Sequence, residues 1–171
     1  MATGSALRAS GSFDEGGCRD DARPYATDWR DLAGEILLMK RVLINPKETQ
    51  PMYDAFHFSQ ANRVGDMIWV SGQVGVDDKL TPASGMDAQT RLAFEGLKRT
   101  LAAAGATLDD VVELTTFHID LRGEMEQFAK VKDEYLPRNY PAWTAVGVTQ
   151  LALPELLVEI RAVAIAGSSK D

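Results

Sequence analysis

Glu159 stands in Leu157-Val158-Glu159-Ile160-Arg161-Ala162-Val163-Ala164-Ile165, whose period of two puts it on one face with Leu157, Val163 and Ile165. A carboxylate among apolar side chains is costly to ionise unless paired. Its pKa then climbs toward the range of a working acid or base. The competing reading is a plain ion pair with Arg161, two residues on and on the same face. His118 alternates with Leu114 and Thr116 at the end of a second β-prone run, as a hydrogen-bonded structural group or a catalyst. Ser71, in Val70-Ser71-Gly72-Gln73, reads as a strand-end serine bonded to backbone or as a nucleophile. Trp143, just after Tyr140-Pro141-Ala142, fills a core or interface or forms a pocket wall. Cys18 sits in a Gly- and Ser-rich stretch, without the fixed electropositive surroundings that lower a thiol pKa, and is discarded as a nucleophile. No Gly-x-Ser-x-Gly elbow, Gly-x-x-x-x-Gly-Lys cradle or Gly-x-Gly-x-x-Gly loop occurs.

Composition narrows the field further. The 171 residues carry 18 Lys and Arg against 25 Asp and Glu, a net charge of −7, with no basic block to grip phosphates. Nucleic acid is therefore not expected as a partner. One cysteine excludes an internal disulfide and a Cys-based zinc cluster, and two histidines exclude a multi-histidine metal site. No run is apolar enough to span a membrane, and the first residues lack the apolar core of a secretory signal. A cytoplasmic protein is expected.

The elements that must position these residues follow from punctuation. Residues 1–38 read as a flexible N-terminal extension, rich in Gly, Ser, Ala and Asp up to Pro24, with a short helix allowed over Trp29 to Leu38. A structured arm packed on the domain or on a neighbour is the alternative. Residues 39–171 form the folded domain, of about 130 residues. Gly65-Asp66 suits a two-residue hairpin between His57–Val64 and Met67–Val74. Ser84-Gly85-Met86-Asp87 has capping-box spacing ahead of a helix bearing Phe94, Leu97, Leu101 and Ala104, which Gly105 ends and on which Glu95 can pair with Arg99. A strand over Val111–Ile119, a helix over Glu124–Leu136, and strands over Trp143–Thr149 and Leu156–Ala166 follow. The turn at Pro154 is expected to fold these last two strands antiparallel, with Trp143 and Glu159 on adjoining strands. The order β-β-β-α-β-α-β-β implies an α+β fold, a mixed sheet with two helices on one face. Strands apolar at both parities imply that the other face is buried in a homo-oligomer.

Several motifs occur together and in order: Ser59-Gln60-Ala61, Val64-Gly65-Asp66, Val70-Ser71-Gly72-Gln73 with Asp77, Ala104 to Val112, Pro141-Ala142 and Leu157-Val158-Glu159-Ile160. Together they resemble the Rid (YjgF/YER057c/UK114) family, also known as endoribonuclease L-PSP-like proteins, over about Met39 to Ala166. The resemblance implies a chorismate-mutase-like subunit, a homotrimer with ligand clefts between subunits, and cofactor-independent hydrolysis of enamines and imines to keto acids and ammonia. Deaminases of the family use an arginine in Pro-Ala-Arg-Ser to clamp a substrate carboxylate, a tyrosine in Pro-Tyr-Ser-Gln to line the pocket, and a glutamate of the last strand to place water. Here the arginine position holds Trp143 and the tyrosine position Phe58, while Glu159 remains. The resemblance therefore implies an arginine-lacking subgroup, with Glu159 catalytic and Trp143, Phe58, Ser71, Gly72 and His118 binding a small molecule. Arg161 is weighed as a substitute cation. A small-molecule hydrolase and a non-catalytic ligand-binding or regulatory trimer both fit. Ribonuclease activity, attributed to some relatives, fits a −7 chain poorly.

Overall fold

The structure, a computed structural model, describes residues 40–169. The extension and its short helix lie outside the described residues. Six strands form one mixed sheet: β1 (Val42–Ile44), β2 (Ala61–Val64), β3 (Met67–Val74), β4 (Val111–His118), β5 (Ala142–Gly147) and β6 (Val158–Ile165), in the order β1-β2-β3-β6-β4-β5. The helices are α1 (Gln50–Phe56), α2 (Met86–Ala103) and α3 (Leu121–Tyr135). Helix α1 is an element that periodicity missed. It is seven residues long, has Pro51 in its first turn, and buries no residue completely, so it leaves no apolar stripe to read.

The hairpin forms as its residues dictate. Val64 pairs with Met67, and Gly65 supplies the left-handed φ of 58° that the two-residue turn requires. Gly105 closes α2 at φ 79°. The helix start departs from expectation: Gly85 is the N-cap and no side chain caps it, so the capping box does not form. Helix α3 begins three residues earlier than its apolar stripe suggests, because the Asp120 side chain accepts from the Gly123 N–H and caps it. Glu95 accepts from the Tyr135 hydroxyl and lies beside Lys98 instead of pairing with Arg99.

The largest correction concerns β5 and β6. They do not form a hairpin. A helix separates β4 from β5, and strands joined by a helical crossover run parallel, as these do. Strand β6 then inserts antiparallel between β3 and β4. Its Val158, Ile160, Ala162 and Ala164 join Ile68, Val70 and Leu114 beneath Phe94, Leu97 and Leu101 of α2 and Phe128 of α3. The opposite sheet face carries Met67 and Trp69 of β3, paired with Ile165 and Val163 of β6, and Phe117 of β4. Met67 and Ile165 are 41% and 36% exposed, which is a lot of open apolar surface for neighbouring strand positions.

Candidate functional site

Between β3 and β6 the register runs Val70↔Ala162 and then Gln73↔Ile160, so Ser71 and Gly72 together oppose Arg161. That is a β-bulge, a device that re-aims side chains and recurs next to reactive groups. Two bonds anchor it from the chain ahead of β2: the Ser71 N–H donates to the Gln60 carbonyl at 2.9 Å, and its hydroxyl to the Ser59 carbonyl at 2.7 Å. The backbone-bonded reading of Ser71 is the one the geometry bears out. Phe58 adjoins Ser59 and is half-buried.

Glu159 lies level with Val74 of β3 and Phe117 of β4, on the open sheet face. Its carboxylate rests directly over Gly72, where a Cβ would overlap it. The missing side chain of Gly72 is what gives the carboxylate its seat. Glu159 makes no hydrogen bond or ion pair among the described residues, and burial pushes its pKa up from the ordinary carboxylate value. The expected pairing with Arg161 does not occur. Arg161 approaches Glu113 at 3.6 Å instead, on the neighbouring strand.

Trp143 and His118 occupy the other face. The Trp143 indole N–H donates to the Thr116 hydroxyl at 3.1 Å, and that hydroxyl lies 2.8 Å from His118 Nε2. The Phe128 ring of α3 stands edge-on to His118 at 4.8 Å and packs 5.8 Å from Trp143, with the Lys132 ammonium 5.0 Å over the indole. His118 is completely buried, and burial holds its pKa below the ordinary histidine value. Its Nδ1 has no partner among the described residues. The expected adjacency of Trp143 and Glu159 within one chain is therefore wrong twice. Strand β4 separates their strands, and they point to opposite faces. Thr116, Phe128 and Lys132, which set the indole, were missed because each reads as an ordinary strand or helix residue.

Gly72 and Glu159 thus form one constellation, with Ser71 anchoring it. An unpaired carboxylate with a raised pKa, beside bulged main chain, can accept a proton from water or place that water against a polarised C=N bond. Among the described residues, no group of three or more Asp, Glu, His or Cys could hold a metal ion. No helix among them is long and apolar enough to cross a membrane.

Comparisons with known proteins agree with this fold. The pattern of the Endoribonuclease L-PSP family matches residues 49–166. The RutC family protein YjgH of Escherichia coli is 43% identical over 116 residues, covering 67% of this chain and 88% of that protein. The crystal structure of Rv2704 from Mycobacterium tuberculosis, titled as a member of the YjgF/YER057c/UK114 family, superposes with a TM-score of 0.65 at 30% identity, covering 74% of this chain and 99% of its own. A 2-iminobutanoate/2-iminopropanoate deaminase of Dermatophagoides farinae is 29% identical over 114 residues, covering 66% of this chain and 86% of that protein.

Proposed function

Because the chain belongs to the Endoribonuclease L-PSP (YjgF/YER057c/UK114, or Rid) family, we propose that it hydrolyses a small imine, enamine or related C–N compound in clefts between subunits of a homotrimer. The observation that carries this is the Glu159 carboxylate, unpaired among the described residues, half-buried and seated over Gly72. In the proposed reaction a water donates to Glu159 and attacks the imine carbon. The C–O bond forms and one proton passes through the carboxylate to nitrogen, giving a carbinolamine; the carboxylate then carries that adduct's hydroxyl proton to the nitrogen as the C=O forms and the C–N bond breaks, and ammonia leaves a carbonyl product. A carboxylate whose pKa is raised by burial is a better base for that transfer than an ordinary one. The likeness to a protein named as an imine deaminase supports the reaction class. The net charge of −7 weighs against RNA as the substrate.

Trp143 makes this an arginine-lacking member of the family. An indole cannot pair a carboxylate, so the substrate is one without that group, apolar or aromatic. Trp143 is 39% exposed on the sheet's edge strand, and it meets Glu159 only if a neighbouring subunit brings it there. The apolar open face bearing Met67, Trp69 and Phe117 is the surface that packs in the trimer. The same Trp143 favours the second reading, a non-catalytic trimer that binds a neutral ligand in the same clefts.

The test is a panel of imines generated by an amino-acid oxidase, with ammonia release timed against a blank. Glu159→Gln should cost about 10²–10⁴-fold in rate on the best substrate. A fully active, folded Glu159→Gln protein overturns the hydrolase. Saturable binding of the panel without turnover favours the second reading.

A further inference from the structure

A cavity of about 320 Å³ lies on the helix-covered side of β3, bounded by α1, the turn after β3 and α2. Gly72 main chain contributes to its floor, while the Glu159 carboxylate stands on the opposite face, so this is not the reaction site proposed above. Two glutamines lie at the floor, Gln60 at 3% and Gln73 at 7% exposure. Their orientations are set by bonding. Gln73 Nε2 donates to Gln60 Oε1 at 3.1 Å and to the Ser71 carbonyl at 3.1 Å. Gln73 Oε1 is thereby turned toward Gly96, the one position on that helix turn without a side chain, and it accepts from no donor among the described residues. Gln60 Nε2 is left with only the Met52 sulfur, at 3.8 Å, a weak acceptor. The floor therefore presents one unpaired acceptor and one underused donor, both able to take a hydrogen-bonding partner from the cavity.

We propose that this cavity binds a neutral ligand carrying a carboxamide, an N–H beside a C=O, on an apolar body. The ligand N–H donates to Gln73 Oε1 and its carbonyl accepts from Gln60 Nε2, while Met52, Phe56 and Leu80 enclose the apolar part. Charge selects against a carboxylate ligand, since the lining holds Glu48, Asp77 and Asp78 against Arg99. Leu80 is held at a left-handed φ of 62°, which a leucine adopts only when its surroundings enforce it, and here it presents an apolar side chain to the cavity.

Benzamide is the probe, added to the full chain labelled at methionine methyl carbons and followed by NMR. The Met52 resonance should shift saturably, with a dissociation constant of about 1 mM expected for so small a ligand, and the Met67 resonance should not. Benzoate, and N,N-dimethylbenzamide with no N–H, should each bind about tenfold more weakly, the worth of one hydrogen bond. Gly96→Ala puts a good helix former in place of a poor one in α2, while its Cβ would come 2.8 Å from Gln73 Oε1 and displace it. Gln60→Glu keeps shape and removes the donor. Each variant, confirmed folded by its methyl spectrum, should lose about tenfold in benzamide affinity. A Met52 resonance indifferent to benzamide, equal response to all three probes, or unchanged affinity in both variants would overturn the proposal.

Discussion

Replacing Gly72 with alanine puts the seat of Glu159 to a direct test. A Cβ at position 72 would overlap Glu159 Oε1 and press on its Cδ and Cγ, so the carboxylate must leave its place. The backbone itself allows alanine, because Gly72 is not among the residues with positive φ. In the native background the overlap should cost about 1–3 kcal/mol, the usual penalty for an added methyl in a packed site. In a Glu159→Ala background the three atoms nearest that Cβ, all of Glu159, are gone. There the change should be neutral or stabilising by about 0.4–1 kcal/mol, since alanine narrows the unfolded ensemble. The cycle therefore predicts a coupling of roughly 1–3 kcal/mol between the two positions. Chemical denaturation of the four proteins at one fixed protomer concentration reads it directly, because the proposed trimer would make stability concentration-dependent. Additive effects within about 0.5 kcal/mol would refute the reasoning, since independent sites behave that way.

Other expectations rest on single groups. The raised pKa of Glu159 means that its protonated form favours the native state, so stability should fall as pH rises above the ordinary value of 4.5. Glu159→Gln should remove that fall and be the more stable protein at neutral pH, with the difference closing below pH 4.5 in pH-resolved denaturation. His118 acts in the opposite sense: a folded pKa below 6.5 makes the neutral ring native, so stability drops as pH falls below 6.5, and His118→Gln should flatten that slope. Asp110 accepts from Thr107 N–H and hydroxyl with one oxygen and from Ser169 N–H and hydroxyl with the other. Asp110→Ala should cost about 2–3 kcal/mol by stranding those donors, and should remove the stability that wild type loses as pH drops below about 3.8, because these bonds depress the Asp110 pKa despite its burial. Thr116→Val should cost about 1–3 kcal/mol by leaving the Trp143 N–H and His118 Nε2 unpartnered, whereas Thr116→Ser should be nearly neutral in the same denaturation assay.

What the sequence could and could not disclose follows from the range of the forces involved. Gly65-Asp66, Gly105 and the alternation around Glu159 were legible because turn geometry, helix capping and strand parity act within a few residues. The pairing of β5 was not, since Pro154 signals that the chain turns but cannot say which strand it then meets. Glu159 was readable as a carboxylate on an apolar face. Its freedom from Arg161 was hidden, because the residue that takes that cation, Glu113, is 48 positions upstream and comes into reach only when β4 and β6 pair. Trp143 misled for the same reason. Its indole is set by Thr116 and Phe128 from two other elements, and no local pattern announces a side chain's face on an edge strand.

The place of β6 has a kinetic consequence. Among the described residues it is the last strand in chain order, yet it lies in the middle of the sheet, and without it the β1-β2-β3 group shares no strand pairing there with the β4-β5 group. A nascent chain that ends before Val158 can close the first hairpin and the helical crossover, but it has no means of zipping the two groups together. Folding to the native sheet must therefore wait for nearly the whole domain to leave the ribosome, and its decisive step joins residues far apart in sequence, a slow kind of contact. Until then both inner edges, along β3 and along β4, stay open to pairing with other chains. A premature stop only a few residues short of the C-terminal end of β6 would thus disable the fold far more than its length suggests, and a peptide copying Val158–Ile165 would compete for the groove during synthesis.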